Sequence, residues 1–393
     1  TATYADIIAV IDADYQVKPQ WLSAAAPLFE NENVGVVQAP QAYRNFEDSL
    51  LQTMERDEYE GFFRIGMVQR NEANALIQHG TMTLIRKSVM DEIGGWEEWC
   101  ITEDTELGIR VLRQGYEIRY VNEPYGFGLV PLTFRDYCAQ RTRWVYGAIR
   151  MMIHFRRSIF GWQDKSLTLQ QRYHFITGWL PWLVDALHPV FCVIGSVMLY
   201  QMISDSRYFP PYAFALPLVL YIAFRYHTVY WTYKKRVEIG TKRRLLTMVA
   251  GASLINTISF AVIRALFTKN YAFHRTNKVF NRVRVTNNLW RILGKHLEKT
   301  LTLVLVVEAV LLIWRYGIGN KDALVWSIAA LTLSLPGLCA LFMEGLSTYE
   351  ANSKYTTSNE NRDFELPEAY QQELALAAEA TLARKETSDN IIP

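Results

Sequence analysis

Three short polar clusters in this chain carry side chains able to do chemistry. Asp12-Ala13-Asp14 sets two carboxylates one residue apart, directly after an apolar run. Hard divalent cations take carboxylate oxygens, and a cation held there would bridge a diphosphate and neutralise the charge that grows on it as it leaves. A polar turn has the same composition. Thr102-Glu103-Asp104 opens a helical pattern with two acids. Acids in a first turn are favoured by the helix dipole alone. A carboxylate there can also act as a general base, taking the proton of an acceptor hydroxyl as its oxygen attacks. Gln140-Arg141-Thr142-Arg143-Trp144 combines an amide, two guanidinium forks and an indole. Guanidinium forks suit phosphate oxygens, and an indole face suits the C–H face of a sugar ring. A surface helix anchored by a buried tryptophan is the plain alternative.

Smaller signals surround these. His79-Gly80-Thr81 falls between a helix and a strand, where Gly80 permits close approach of a ligand to the backbone and His79 is placed to meet an acceptor hydroxyl or to be a satisfied structural histidine. Gln38 to Pro40 ends a strand and is expected to line the same cleft. Phe273-His274-Arg275-Thr276-Asn277-Lys278 reads by itself as a basic membrane-surface loop, and its position also suits a loop that folds over the cleft. Asp185 and His188 lie inside an apolar segment, with Arg225 in the next one as a candidate partner. Ionisable groups at membrane depth are expensive and usually face a polar path or each other.

The elements that must position these residues alternate between strand and helix patterns. Residues 6–11 predict a buried parallel strand, 19–29 a short helix, 34–38 a strand, 49–69 a helix, 81–86 a strand and 87–93 a helix closed by Gly94-Gly95. Residues 102–114 are the clearest helix, with Thr102 as N-cap and Gly115 as the stop, and 116–121 return as a strand. Such alternation implies an open α/β sheet with its ligand site at the carboxyl ends of the strands. Residues 145–160 alternate Ile149, Met152 and Ile153 with Arg150, Arg156 and Arg157, which suits a helix lying on a membrane surface.

The remainder is apolar in long blocks. Residues 175–200, 212–233, 300–316 and 323–342 are each about long enough to span a bilayer. Residues 245–267 are also apolar, but basic clusters flank both ends, so an interfacial or re-entrant helix keeps Lys234, Lys235, Arg236, Lys242, Arg243 and Arg244 on the cytoplasmic side. A polar tail with a helix at 367–385 follows. The net charge of +2 makes no case for nucleic acid, and the four scattered cysteines argue against a zinc site or a disulfide framework. The chain opens at Thr1, close to a strand, and reads as the middle of a larger protein.

Asp12-Ala13-Asp14 as D-x-D, Thr102-Glu103-Asp104 as T-E-D and Gln140 to Trp144 as Q-x-x-R-W together resemble the processive, cellulose-synthase-like branch of glycosyltransferase family two, which includes hyaluronan and chitin synthases. Phe273 to Lys278 resembles that branch's F-x-V-T-x-K loop, with Arg275 where valine is usual. The resemblance implies an α/β GT-A-type glycosyltransferase domain, partial because its N-terminal strands are missing, followed by an α-helical transmembrane region. Its expected divisions are a catalytic part at 1–144, interfacial helices at 145–174, a membrane region at 175–343 with a gating-type loop at 269–299, and a polar cytoplasmic tail at 344–393. It further implies a UDP-sugar donor with Mg2+ or Mn2+. Asp12 and Asp14 would serve the metal and diphosphate, and Asp104 would be the base. Arg141 and Arg143 would hold the diphosphate, and Thr276 and Lys278 would close over the donor. Gln140, Trp144, Glu103, His79 and Gly80 would meet the acceptor.

The stretches 37–41, 61–66 and 78–83 look like bacterial β-glucan synthases, which points to UDP-glucose, a growing glucan chain as partner, and a multi-pass protein of the bacterial inner membrane with a cytoplasmic catalytic domain. A homo-oligomer or accessory subunits are compatible with this. Another β-linked polymer such as cellulose, chitin, hyaluronan or poly-N-acetylglucosamine stands as the alternative product. A polysaccharide channel subunit without catalysis stands as the alternative class. With the family's uridine-binding aspartate absent, the chain by itself is expected to bind nucleotide poorly.

Overall fold

The computed structural model describes residues 5–269 and 289–357. The 273–278 loop with Thr276 and Lys278, and the 367–385 helix, lie outside the described residues.

In chain order the first part runs β1 (Ile7–Val10), β2 (Gln16–Val17), α1 (Gln20–Ala25), β3 (Val34–Gln38), β4 (Ala42–Tyr43), α2 (Leu50–Gly61), α3 (Val68–Glu72), β5 (Thr83–Arg86), α4 (Lys87–Glu92), α5 (Glu103–Arg113), β6 (Glu117–Tyr120) and β7 (Gly126–Gly128). A four-stranded sheet has the order β1-β5-β3-β6, and a three-stranded one the order β2-β7-β4. β3, entirely buried, is parallel to β6 and antiparallel to β5. β1 also pairs antiparallel with β5, which corrects the expectation of a buried parallel strand. It stands at the edge of the described sheet, and its apolar side chains are only half covered.

α2 and α3 are joined through a π-helical stretch, Phe62–Met67, so the expected 49–69 helix is one continuous body with a local bulge. Ser49 caps it, its hydroxyl accepting from the Gln52 amide at 3.1 Å. α5 begins after Thr102 and stops at Gly115, whose φ of +89° is the left-handed conformation that suits glycine. Thr102 occupies the N-cap position but makes no side-chain cap. Its hydroxyl instead lies 3.3 Å from Cys100 Sγ and 3.9 Å from Met151 Sδ.

The second part is helical: α6 (Phe134–His154), α7 (Arg156–Phe160), α8 (Leu169–Asp185), α9 (His188–Ser204), α10 (Leu216–Arg236), α11 (Thr241–Ser253), α12 (Ile255–Phe267), α13 (Leu289–Tyr316) and α14 (Lys321–Thr357). The predicted surface helix at 145–160 is the second half of α6 plus α7. Its Val145, Tyr146, Ile149 and Met151 are buried in the main core beside Ile258, Ala261 and Val262 of α12. An amphipathic stripe cannot distinguish a lipid partner from a protein one, and here protein covers it.

Three helical stretches among the described residues are long and apolar enough to cross a membrane: Leu169–Ser204, Thr241–Phe267 and Lys321–Asn352. The first breaks at Ala186 and Leu187, where the sequence suggested one unbroken span. Thr241–Phe267 contains the segment expected to be interfacial, and the expected spans in α10 and α13 are not among the three. α9 presents Val190, Phe191, Val193, Ile194 and Val197 outward, and α10 presents Leu220 and Phe224. A contiguous exposed apolar surface of this kind marks contact with lipid or another apolar partner.

Candidate active site

The three polar clusters, distant in sequence, line one cavity of about 950 Å³. Asp12 and Asp14 enter it from the end of β1, and Glu103 and Asp104 from the start of α5. Gln140, Arg141, Arg143 and Trp144 enter from α6, and His79 and Gly80 from the loop before β5.

The Asp12 amide donates to Thr81 Oγ1 at 3.0 Å, tying the D-x-D turn to the His79-Gly80-Thr81 loop. The Leu129 amide donates to Asp14 Oδ2 at 3.0 Å, which orients that carboxylate. Burial above all holds the neighbouring Tyr15 and Tyr43 hydroxyls well above their ordinary range, with the Tyr43 and Asp14 charges adding to it at Tyr15 and the Asp14 charge at Tyr43. Among the described residues no group of three His, Cys, Asp or Glu gathers as a metal site. The donor set on offer is a pair of hard oxygen ligands, which fits a cation that takes its other ligands from water and a diphosphate rather than from a protein cage.

Asp104 is held at the N-terminus of α5. Its Oδ1 accepts from the Thr105 amide at 2.7 Å. A Cβ on Gly80 would lie 3.3 Å from Asp104 Oδ2, tighter than an ordinary contact. Burial and the adjacent Glu103 push the Asp104 carboxyl up to about 6, against the opposing pull of the Thr105 and Gly80 amides and the Arg143 charge. A carboxylate with that affinity is ionised at neutral pH and basic enough to take a proton. Gly147 of α6 sets the distance between the helices. A Cβ there would sit 2.2 Å from Thr102 Oγ1, so only glycine lets α6 meet the residue that precedes Glu103 and Asp104.

The α6 cluster divides into two environments. Arg141 is buried, ion-paired to Glu58 Oε2, and its guanidinium lies 5.9, 5.7 and 5.5 Å from the rings of Tyr59, Tyr137 and Trp144. Tyr137 donates to the same Glu58 oxygen at 2.9 Å, and Tyr59 donates to Gln140 Oε1. Trp144 leans on Tyr59 with ring centroids 5.4 Å apart. Arg141 is thus a strut inside an aromatic box that holds Gln140 and Trp144 in place. Arg143 is the member of the cluster whose charge acts on Asp104.

His79 stacks edge-on against Phe62 and Phe63 at 5.2 and 5.3 Å, and burial and then the Arg70 charge lower its pKa to about 3, keeping it neutral. Gln38 does not line the cavity. It is fully buried, donating to the Ala39 and Thr81 carbonyls at 2.9 Å and accepting from the His79 amide at 3.0 Å, so it braces the loop. Asp185, His188 and Arg225 also stand outside the lining.

Several lining residues carried no functional reading in the sequence: Glu58, Tyr59, Arg70 and Tyr233. Glu58 and Tyr59 sit in an aromatic and acidic run, Glu58-Tyr59-Glu60-Gly61-Phe62-Phe63, which looks like ordinary helix until Arg141 supplies its partner. Tyr233 arrives from α10. A Cβ on Gly61 would lie 2.0 Å from its hydroxyl, which donates to the Glu58 carbonyl at 3.0 Å.

Residues 7–226, more than half of the chain, match the family described as "Glycosyl transferase family group 2". Among curated relatives, a probable glucomannan 4-beta-mannosyltransferase 7 of Oryza sativa subsp. japonica is 28% identical over 208 residues, 52% of this chain and 35% of that protein. A glucomannan 4-beta-mannosyltransferase 1 of the same plant is 26% identical over 208 residues, 52% of this chain and 39% of its own length. A probable glucomannan 4-beta-mannosyltransferase 1 of Arabidopsis thaliana is 30% identical over 44% of this chain and 31% of its own length. The chain therefore spans between 31% and 39% of the length of these relatives. A solved mannosyltransferase of Pyrobaculum calidifontis, in complex with GDP-Man and Mn2+, superposes with a TM-score of 0.40 at 16% identity, covering 67% of this chain and 63% of that one. The named relatives are mannosyltransferases, and none is a bacterial β-glucan synthase. By its family match, with a GT-A-type α/β part followed by apolar helices, this chain belongs to glycosyl transferase family group 2.

Proposed function

We propose that this chain carries the base and acceptor side of a membrane-associated, inverting hexosyltransferase that extends a β-linked polysaccharide from a nucleotide-sugar. The observation that carries the reading is that Asp104, with its raised proton affinity, lines the same cavity as the Asp12/Asp14 pair, Arg143 and Trp144. Asp104 takes the proton of the acceptor hydroxyl. The acceptor oxygen bonds to the anomeric carbon from the face opposite the diphosphate, the anomeric carbon–oxygen bond breaks, and its electron pair leaves on the diphosphate. Arg143 is placed to offset that charge. Asp12 and Asp14 would hold a divalent cation, Mg2+ or Mn2+, which supplies further charge neutralisation to the diphosphate when bound. Trp144, with Gln140, offers the acceptor sugar a face and an amide, with Glu103, His79 and Gly80 along the same wall. Arg141 positions Trp144 rather than meeting the diphosphate.

Trp179 and Trp182 of α8 continue the cavity wall toward the apolar helices, which suits passage of the growing chain in that direction. The basic residues Lys234 to Arg236 and Lys242 to Arg244 support a cytoplasmic position for their side of the helices, and for the catalytic part with it. The likeness to β-glucan synthases supports UDP-glucose as donor, while the relatives' names support a mannosyl donor. The test uses the intact parent protein in membranes, offered radiolabelled UDP-glucose or GDP-mannose, with linkage-specific digestion of the product. Asp104→Asn is expected to abolish polymer while leaving nucleotide binding intact. Near-normal synthesis by that variant would remove Asp104 from the base role and the reading with it.

A further inference from the structure

One cation on the cavity wall has no acid to answer it. Arg70, in α3, is largely buried, and among the described residues no carboxylate pairs with it. Its Nη1 donates to the Gly66 carbonyl at 3.0 Å, one turn back on its own helix, and its buried Nε has no partner. Two glycines from different elements lie against this guanidinium. A Cβ on Gly66 would lie 2.9 Å from Nη1, and a Cβ on Gly178 of α8 would lie 2.6 Å from Nη2. Beside it, the Nε2 of His79 is buried without a partner on an imidazole that stays neutral. Phe62, Phe63, Trp179 and Trp182 complete this wall, all in the cavity that holds Asp104.

A buried cation without a counter-ion is costly, and so is a buried nitrogen without a hydrogen bond. Retaining both side by side in the wall of one cavity, with only glycines packed against the guanidinium ends, suits a site completed by a ligand. We infer that Arg70 and His79 form a subsite for an oxyanion, carboxylate or phosphate, carried on a glycan whose ring lies against the α8 indoles. The guanidinium meets the two oxygens as a fork, and the imidazole adds one hydrogen bond. This rests on the cavity being a sugar-transfer site and deepens it: the polymer or acceptor it handles is anionic at one position.

Calorimetric titration of the purified chain in detergent separates the sources. The probes are cellohexaose, its carboxylated counterpart with uronic acid units, and inorganic phosphate. The carboxylated glycan is expected to bind about tenfold tighter than the neutral one. That preference should disappear in Arg70→Gln, persist in part in Arg70→Lys and shrink at high salt, and Asp104→Asn should leave it intact. The thermal midpoint of unliganded Arg70→Met should rise, because an unpaired buried charge is removed; a fall would identify Arg70 as structural and overturn the inference. Equal affinity for both glycans, with phosphate binding that depends on Arg70, would keep the oxyanion site and reject the glycan as its source. Equal affinity with no phosphate binding would overturn the subsite, and polymer synthesis from neutral donors would show the transfer reading surviving it.

Discussion

Two clusters of polar groups in this molecule, the break between α8 and α9 and the Arg70 wall of the cavity, are handled in opposite ways. In the helical half, Asp185 of α8 takes both guanidinium nitrogens of Arg225 of α10, at 2.7 and 3.3 Å. His188 has one ring nitrogen 3.0 Å from Asn256 Oδ1 and the other 3.0 Å from the Leu333 carbonyl. Ser259 donates to the Asp185 carbonyl at 2.6 Å, so α8, α9, α10, α12 and α14 are fastened together at the break between α8 and α9. The residues that looked like the lining of a polar path are the rivets of a bundle. In the cavity, by contrast, Arg70 Nε and His79 Nε2 are buried without partners. Burial is common to both places, and pairing separates these particular groups: those at the α8–α9 break answer one another, whereas Arg70 Nε and His79 Nε2 on the cavity wall do not.

That contrast can be broken or sharpened by substitution. The largest effect is expected from Asp104→Asn, with turnover falling about 10³-fold, measured as polymer formed per unit of protein. The same change should stabilise the fold. The Asp104 carboxyl is raised from 3.8 to about 6 in the folded chain. The folded state therefore binds the proton more tightly, and stability falls as pH rises from about 4 through 6 and stays low above. Removing the ionisable group should return on the order of 2–3 kcal/mol at pH 7 and almost nothing near pH 4, read from denaturation midpoints at the two pH values. Asp185→Ala should do the reverse, costing about 3 kcal/mol because Arg225 is left without its partner. Its midpoint should fall while catalysis per folded molecule is retained. A lost activity with unchanged stability would return Asp185 to a substrate path. Glu58→Gln is the smallest. It weakens the Arg141 strut by about 1.5 kcal/mol, so the acceptor KM should rise roughly tenfold while donor hydrolysis is kept. Equal losses in both would place Arg141 on the diphosphate instead.

What the sequence made legible was local chemistry. Thr102-Glu103-Asp104 reads as a helix start because acids, cap position and Gly115 agree, and α5 lies where those signals put it. The acid pair after β1 and the α6 cluster are recognisable because carboxylate, guanidinium and indole have few other reasons to stand so close together. Partnerships were not legible. The apolar run of β1 fits a parallel or an antiparallel neighbour equally well, and only the register with β5 decides. The stripe of α6 specifies an apolar partner without saying whether it is α12 or lipid. Arg141 and Arg143 are indistinguishable by composition, and Glu58, far off on α2, separates them. Arg70 is silent in sequence because its meaning is that, among the described residues, no acid pairs with it in space.

The account turns on Asp104 as a base whose affinity is set by its surroundings, and the pH dependence of kcat/KM for polymer synthesis tests it most directly. An acid limb with an apparent pKa of about 6 is predicted, because activity requires the ionised carboxylate. Since Glu103 contributes to raising that value, Glu103→Gln should move the limb to lower pH. A limb near 4, or one that Glu103→Gln leaves in place, would contradict it.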